Sequence, residues 1–307
     1  MQISLLDLIT TPMAVLNSLG LRTRVGLSSD DPMARRHKGE AYQAYLSVYS
    51  PEGMLLERLH LGEIPPNRRR LFDVTDLSRK LVPGQDHLAV AHRIPNSLLS
   101  QVSGVEDSIE LQAAPDFHIY RSMLEYSYSD GGNGSVIYET PPGLNGPPRE
   151  GRKSNTLTFT CQIAISATVQ THIVLVHHSV NPSYSNIANF SFGLFSVDGE
   201  RVATENVALG PFSVRAVDVA SIIPRETIQR DAHPQDGQSV YTFVGACEDA
   251  VVIPLFVNAA PDIRAVAVEH THPPQAYLLP ADVSLKQKVK SEAASAWKSV
   301  FSMGRRS

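Results

Sequence analysis

Hydrophobic and polar positions alternate with a period of two along most of the chain. Tyr42, Ala44, Leu46 and Val48 alternate with polar or small partners, and so do Leu157, Phe159, Cys161, Ile163 and Ile165. Residues two apart on a strand share a face, so such runs read as half-buried strands. The pattern predicts strands over 21–27, 41–49, 54–61, 70–74, 88–92, 108–112, 117–128 and 135–138. A second set runs over 157–166, 171–178, 188–196, 201–208, 213–219, 239–245, 250–257 and 263–272. About eight short strands per half, with turn residues between them and no helical pattern, argue for an antiparallel β-sandwich. A jelly roll or a barrel has the same signature. Only the two ends break the period. Leu5, Leu6, Ile9, Met13, Leu16 and Leu19 fall at helical spacing, interrupted at Thr11-Pro12. Leu285, Val289, Ala293, Ala296 and Val300 share one helical face, with Trp297 and Phe301 beside it.

The two sets of strands carry the same landmarks in the same order. Tyr45 to Gly53, ending Ser50-Pro51-Glu52-Gly53, matches Ser191 to Gly199, ending Ser196-Val197-Asp198-Gly199. Leu61-Gly62 matches Leu209-Gly210, and each is followed by Pro and then by Asp-Val, at Asp73-Val74 and Asp218-Val219. Ser29-Asp30-Asp31-Pro32 matches Ser179-Val180-Asn181-Pro182, and Glu106-Asp107 matches Glu248-Asp249. The tetrapeptide Ala113-Ala114-Pro115-Asp116 recurs as Ala259-Ala260-Pro261-Asp262. With Glu125 matching Glu269, seven landmarks at offsets of 142 to 150 residues indicate an internal duplication. Each copy is long enough to bury a core of its own. The expected fold is therefore all-β: two tandem, internally duplicated antiparallel β-sandwich (jelly-roll-like) domains with a C-terminal amphipathic helix. The expected boundaries are an N-terminal, helical segment over 1–20 and a first copy over 21–140. A Pro/Gly-rich linker follows over 141–155, then a second copy over 156–280 and a basic amphipathic helix over 281–307.

Composition narrows the class. Of the 307 residues, 42% are hydrophobic and 19% charged, which is the balance of a globular chain rather than a disordered one. The formal charge of −4, with no basic stripe in the body, argues against nucleic acid as a partner. The charge is uneven. Lys286, Lys288, Lys290, Lys298, Arg305 and Arg306 outweigh Asp282 and Glu292, so the tail carries +4 and the rest −8. Two cysteines, Cys161 and Cys247, make no disulfide framework, and the first 21 residues lack a basic start and contain Asp7. The expectation is a cytoplasmic protein, with membrane association through the tail as the variant reading.

Candidate chemistry concentrates in the second copy. His270 and His272 are two apart on a predicted strand, which lets both rings address one ion such as zinc. His177 and His178 end another predicted strand and would complete the set. Landmark matching puts Leu27 and Ser28 at their places in the first copy. Glu269 precedes the HxH pair and is the candidate general base or partner of a metal ligand. The matching segment of the first copy is Glu125, Tyr126 and Tyr128, which with Asp130 and Tyr138 would line a small polar cleft or pack across strands. No GxSxG, Walker or GxGxxG signature is present, so no nucleotide cofactor is indicated. Trp297, Phe301, Lys290 and Lys298 suit either a partner surface or an anionic membrane surface, reached through 284–307.

Three functions stay open on the sequence. The first is a non-catalytic tandem β-sandwich that binds a protein or small-molecule partner. The second is a metal-dependent enzyme built on the histidines of the second copy, with a divalent metal as its only implied cofactor. The third is a peripheral membrane protein docked by its C-terminal helix.

Overall fold

The computed structural model describes residues 9–29, 39–101, 120–140, 156–179 and 184–270. The first copy comprises β1 (Ile9–Leu16), β2 (Arg22–Ser28), β3 (Tyr42–Tyr49), β4 (Leu55–Ile64) and β5 (Arg69–Asp73). It continues with the one-turn helix α1 (Val74–Leu77), β6 (Asp86–Pro95), β7 (Tyr120–Ser127) and β8 (Asn133–Thr140). The second comprises β9 (Thr156–Ile165), β10 (Gln170–His177), β11 (Ala188–Phe195), β12 (Arg201–Leu209) and β13 (Ser213–Asp218). Helix α2 (Arg225–Asp231), β14 (Ser239–Cys247), β15 (Ile253–Ala260) and β16 (Ala265–His270) complete it. The first copy forms sheets ordered β1-β6-β3-β4 and β5-β2-β7-β8; the second forms β9-β14-β11-β12 and β13-β10-β15-β16. Each order becomes the other when every strand is replaced by the eighth after it. The duplication is thus a property of the strand topology, and the tandem β-sandwich architecture read from the sequence is the one observed.

Local chemistry repeats with it. In both β3–β4 and β11–β12 turns a serine carbonyl accepts from a glycine three residues on, at 3.0 Å. Both glycines are left-handed, Gly53 at φ 86 and Gly199 at φ 81, a conformation that favours glycine. Asp73 caps α1 through the Asp76 N–H, and Asp218 caps the 3₁₀ turn Val219–Ser221 through the Ala220 N–H.

Two expectations are corrected. Residues 9–16 form strand β1, not a helix, and belong to the first copy, in register with β6 from Ile9↔Arg93 to Leu16↔Asp86. Met13 to Leu16 are all buried, and an unbroken apolar run carries no period that separates helix from strand. Pro12 is tolerated because β1 lies at a sheet edge, where one side of the strand needs no donor. The second correction is α2, a helix of seven residues inside the β13–β14 connection, entered at Pro224. The 141–155 linker and the C-terminal helix lie outside the described residues.

The second copy buries a core between its own two sheets, and a second apolar cluster joins the two copies. In the sheet containing β10, Ile173, Leu175 and Phe256 face Phe190, Phe192 and Phe243 of their own sandwich. The alternate residues, among them Val174, Val176, Val214, Leu255 and Val257, join the core of the first copy with Met13, Val15, Leu88 and Val90. This sheet is packed on both faces, which is why β10 reads Ile-Val-Leu-Val without alternation. Around its rim, Tyr49 stacks on Phe212 at 5.1 Å between ring centroids. Gly53 lies so close to Pro211 that any Cβ would overlap the carbonyl. Strand β8 runs beside β16: the Gly132 N–H donates to the Arg264 carbonyl at 2.7 Å, and a Cβ on Gly134 would come within 2.7 Å of the Val266 carbonyl. Asp130 forms an ion pair with Arg264 across the same seam.

Candidate functional site

Among the described residues the candidate histidines of the second copy do not converge. His270 pairs with Leu255 on β16, and Leu255 pairs with Val174 on β10. His270 therefore stands level with Val174, on the face turned to the first copy. His177 is three residues further along β10, on the opposite face and with β15 between. The strand spacings put their Cα atoms roughly 14 Å apart, on opposite sides of one sheet. His177 is engaged at both ring nitrogens. Its Nδ1–H donates to the Gly210 carbonyl at 2.8 Å, and its Nε2 accepts from the Tyr184 hydroxyl at 3.1 Å. Burial lowers its pKa, opposed by those carbonyls and by Asp249. His178 is buried edge-on to the Phe212 ring at 6.0 Å. Burial first, then His92 and His177, push it down to about 3. Among the described residues no three His, Cys, Asp or Glu side chains are grouped to hold a metal. Glu269 pairs with Phe256 in the β15–β16 ladder; His272 lies outside the described residues.

The first-copy candidates are likewise dispersed. Tyr126 is fully buried between the sheets and donates its hydroxyl to the Ala14 carbonyl at 2.9 Å. Burial raises its pKa, reinforced by Asp86. Glu125 points to the other side of β7 and accepts from Arg24 at 2.7 Å. Arg24 and Arg22 also pair with Asp73, at 3.2 and 2.8 Å. Tyr128 packs at the seam between the copies, and Asp130 pairs with Arg264 there. These four do not form one cleft.

The structural register also revises the landmark matching. Leu255 and Met123 occupy equivalent places beside Val174 and Gly26. Ala259-Ala260-Pro261-Asp262 therefore corresponds to Ser127-Tyr128-Ser129-Asp130, while 113–116 lies outside the described residues. Glu125 corresponds to Val257, not Glu269, because Glu269 and His270 belong to the edge strand equivalent to β8. The Arg24↔Asp73 and His172↔Asp218 pairs show that His177 corresponds to Ser29 rather than Leu27. Ser29 keeps the same task, donating its hydroxyl to the Pro65 carbonyl at 2.5 Å where His177 donates to the β12–β13 loop.

The titratable group that sequence reading missed lies where the copies meet. His92 on β6 sits 3.5 Å from the Ser47 hydroxyl and within electrostatic reach of His178 of the other copy. Burial, then the Arg58 charge, push His92 down to about 4. Alternation along β6 could have flagged His92 beside Val90 on one face, but only the fold shows that a second domain covers that face.

No family model and no curated protein matches the chain. Among solved structures it is similar to a glycosyl hydrolase family 2 member from Bacteroides cellulosilyticus, at 11% identity and TM-score 0.19, covering 86% of this chain and 26% of that one. It is similar to a putative beta-galactosidase from Bacteroides fragilis, at 11% identity and TM-score 0.20, covering 86% and 32%. A Bacteroides uniformis beta-glucuronidase gives 12% identity, TM-score 0.20 and coverage of 86% and 25%. The chain thus spans about a quarter to a third of the length of these proteins. At these scores the likeness carries no statement about chemistry, and the fold assignment rests on the strand order. Among the described residues no helix is long and apolar enough to cross a membrane.

Proposed function

We propose that the protein is a non-catalytic binding module, in which two β-sandwich copies form one rigid body that presents its hairpins and loops to a partner. One observation carries this reading: the hydrophobic core of the first copy continues onto the outer face of the second copy's β10 sheet, which is covered on both sides. A body so joined holds distant loops in fixed relation, which is what a scaffold for recognition requires. The side chains that suggested chemistry serve that body. His177 ties β10 to the β12–β13 loop, Tyr126 ties β7 to β1, and Glu125 belongs to the Arg24 ion pairs.

The test is elemental analysis of the purified full chain beside a His270→Ala/His272→Ala variant. A chain that takes up no metal after exposure to zinc, iron and manganese supports the binding-module reading. Near-stoichiometric metal that disappears in the double variant overturns it in favour of a metal-dependent activity.

A further inference from the structure

The contact that joins the two copies is used once, yet both of its halves occur twice. Inside the chain the β3–β4 turn is the inserting half. Its left-handed Gly53 lies against the Pro211 carbonyl, and Tyr49 stacks on Phe212. The receiving half is the β12–β13 loop, where Phe212 has φ 56. The second copy carries its own inserting half. Gly199 has the same conformation as Gly53, and Phe195 stands where Tyr49 does. The tip of this turn is open: a Cβ on Gly199 would have no neighbour within 4 Å, and Val197 is 85% exposed, while at its base Glu200 pairs with Arg230 of α2 at 3.2 Å. The first copy carries its own receiving half, the β4–β5 loop. Pro66 stands where Pro211 does, Asn67 takes φ 54 where Phe212 takes φ 56, and the loop from Pro65 to Arg68 is exposed.

The charges on these two unused halves are opposite. The second-copy turn exposes Asp198 at its tip; the first-copy loop runs into exposed Arg68, Arg69 and Arg70. Beside that loop, on the outer face of its sheet, Leu71 is 49% exposed and lies next to Gly26 and Met123, in the row where the second copy has Ala216, Val174 and Leu255. An apolar centre with a charged rim is the make-up of a reversible protein interface.

We propose that the chain associates head to tail with a second copy of itself: the β11–β12 turn of one molecule docks on the β4–β5 loop of the next, repeating the internal contact in trans. The two surfaces differ and lie on different copies, so the contact is heterologous and yields open chains unless the rotation closes a ring. It is smaller than the internal one. Ala267 occupies the place of Gly134, so β16 does not admit the close strand approach that β8 allows. The association is therefore concentration-dependent and weakens with salt. This inference names the partner of the binding module and rests on that reading.

Sedimentation velocity of the full chain over a concentration series tests it. The expected result is a weight-average mass that climbs with concentration and falls on adding salt. Val197→Glu should weaken association at least about tenfold, with an unchanged melting temperature because the side chain is exposed. Asp198→Arg and Arg68→Glu should each weaken it alone, and an equimolar mixture of those two variants should associate again. A chain that stays monomeric at every concentration overturns the self-association while leaving the binding module standing. Association that is indifferent to all three substitutions also overturns it. Stoichiometric metal in the elemental analysis would instead remove the binding-module reading itself.

Discussion

Gly53 and Gly199 share a sequence context and a backbone conformation but not an environment, so they separate two costs that usually arrive together. Alanine at Gly199 meets only the left-handed backbone penalty, about 1–2 kcal/mol. Alanine at Gly53 should lose that and roughly 1–3 kcal/mol more, because its Cβ overlaps the Pro211 carbonyl. Urea midpoints of the two variants check the difference; equal losses would mean that the copies are not in contact there. Tyr126 offers a second check. Its hydroxyl has one role in the fold, the bond to Ala14. Tyr126→Phe should cost about 0.5–1.5 kcal/mol in urea unfolding, and a ligand-facing phenol would show no such loss.

At the level of elements, the doubly covered sheet sets the energetics. Val174→Thr keeps the volume but puts a hydroxyl into the dry seam between copies, and should destabilise by about 1–3 kcal/mol. Val240→Thr, on a face left 41% exposed, should stay within about 0.5 kcal/mol. The same contrast explains what was legible in the sequence. Strands buried on one face announce themselves by alternation, so β3 and β11 were readable, as were the hairpin turns fixed by Gly53 and Gly199. Strand β1 was not, because Met13-Ala14-Val15-Leu16 is covered on both sides and shows no period. The candidate site was less legible than the fold. Two imidazoles two apart on a strand look alike whether they address an ion or a neighbouring loop. The pairing that puts His177 and His270 on opposite faces of one sheet is a long-range fact. Landmark matching slipped by two residues at Ser29 and failed in the last third of each copy for a related reason: loop lengths drift, and a repeated tetrapeptide does not mark register.

For the whole molecule, acid should loosen the union of the copies. His92 and His178 come from different copies and are held neutral, at about 4 and about 3. In the unfolded chain both titrate near 6.5. Below that value the unfolded state binds more protons than the folded one, so stability is complete above about pH 6.5 and declines as pH falls toward 4. Each imidazole contributes about 1.4 kcal/mol per pH unit in that window. Chemical denaturation at a series of pH values should show the decline, and His178→Gln should reduce its slope. A slope unchanged by that substitution would place the acid sensitivity elsewhere. Unfolding should also be a single cooperative transition, since parting the copies would expose the apolar cluster that they share.

The covering of β10 on both faces and both edges has one more consequence, visible on a different clock. Backbone amides exchange with solvent hydrogen only when their own hydrogen bonds break and water arrives. Between Ile173 and Val176 every bond is made to β13 or β15, one face is covered by the sheet of the same sandwich, and the other cannot be bared without parting the two copies. Deuterium should therefore enter this tetrapeptide last, at the rate of global opening, while the Val197 turn fills at once. The oldest protons in the molecule would then mark the seam where a duplicated domain became one body.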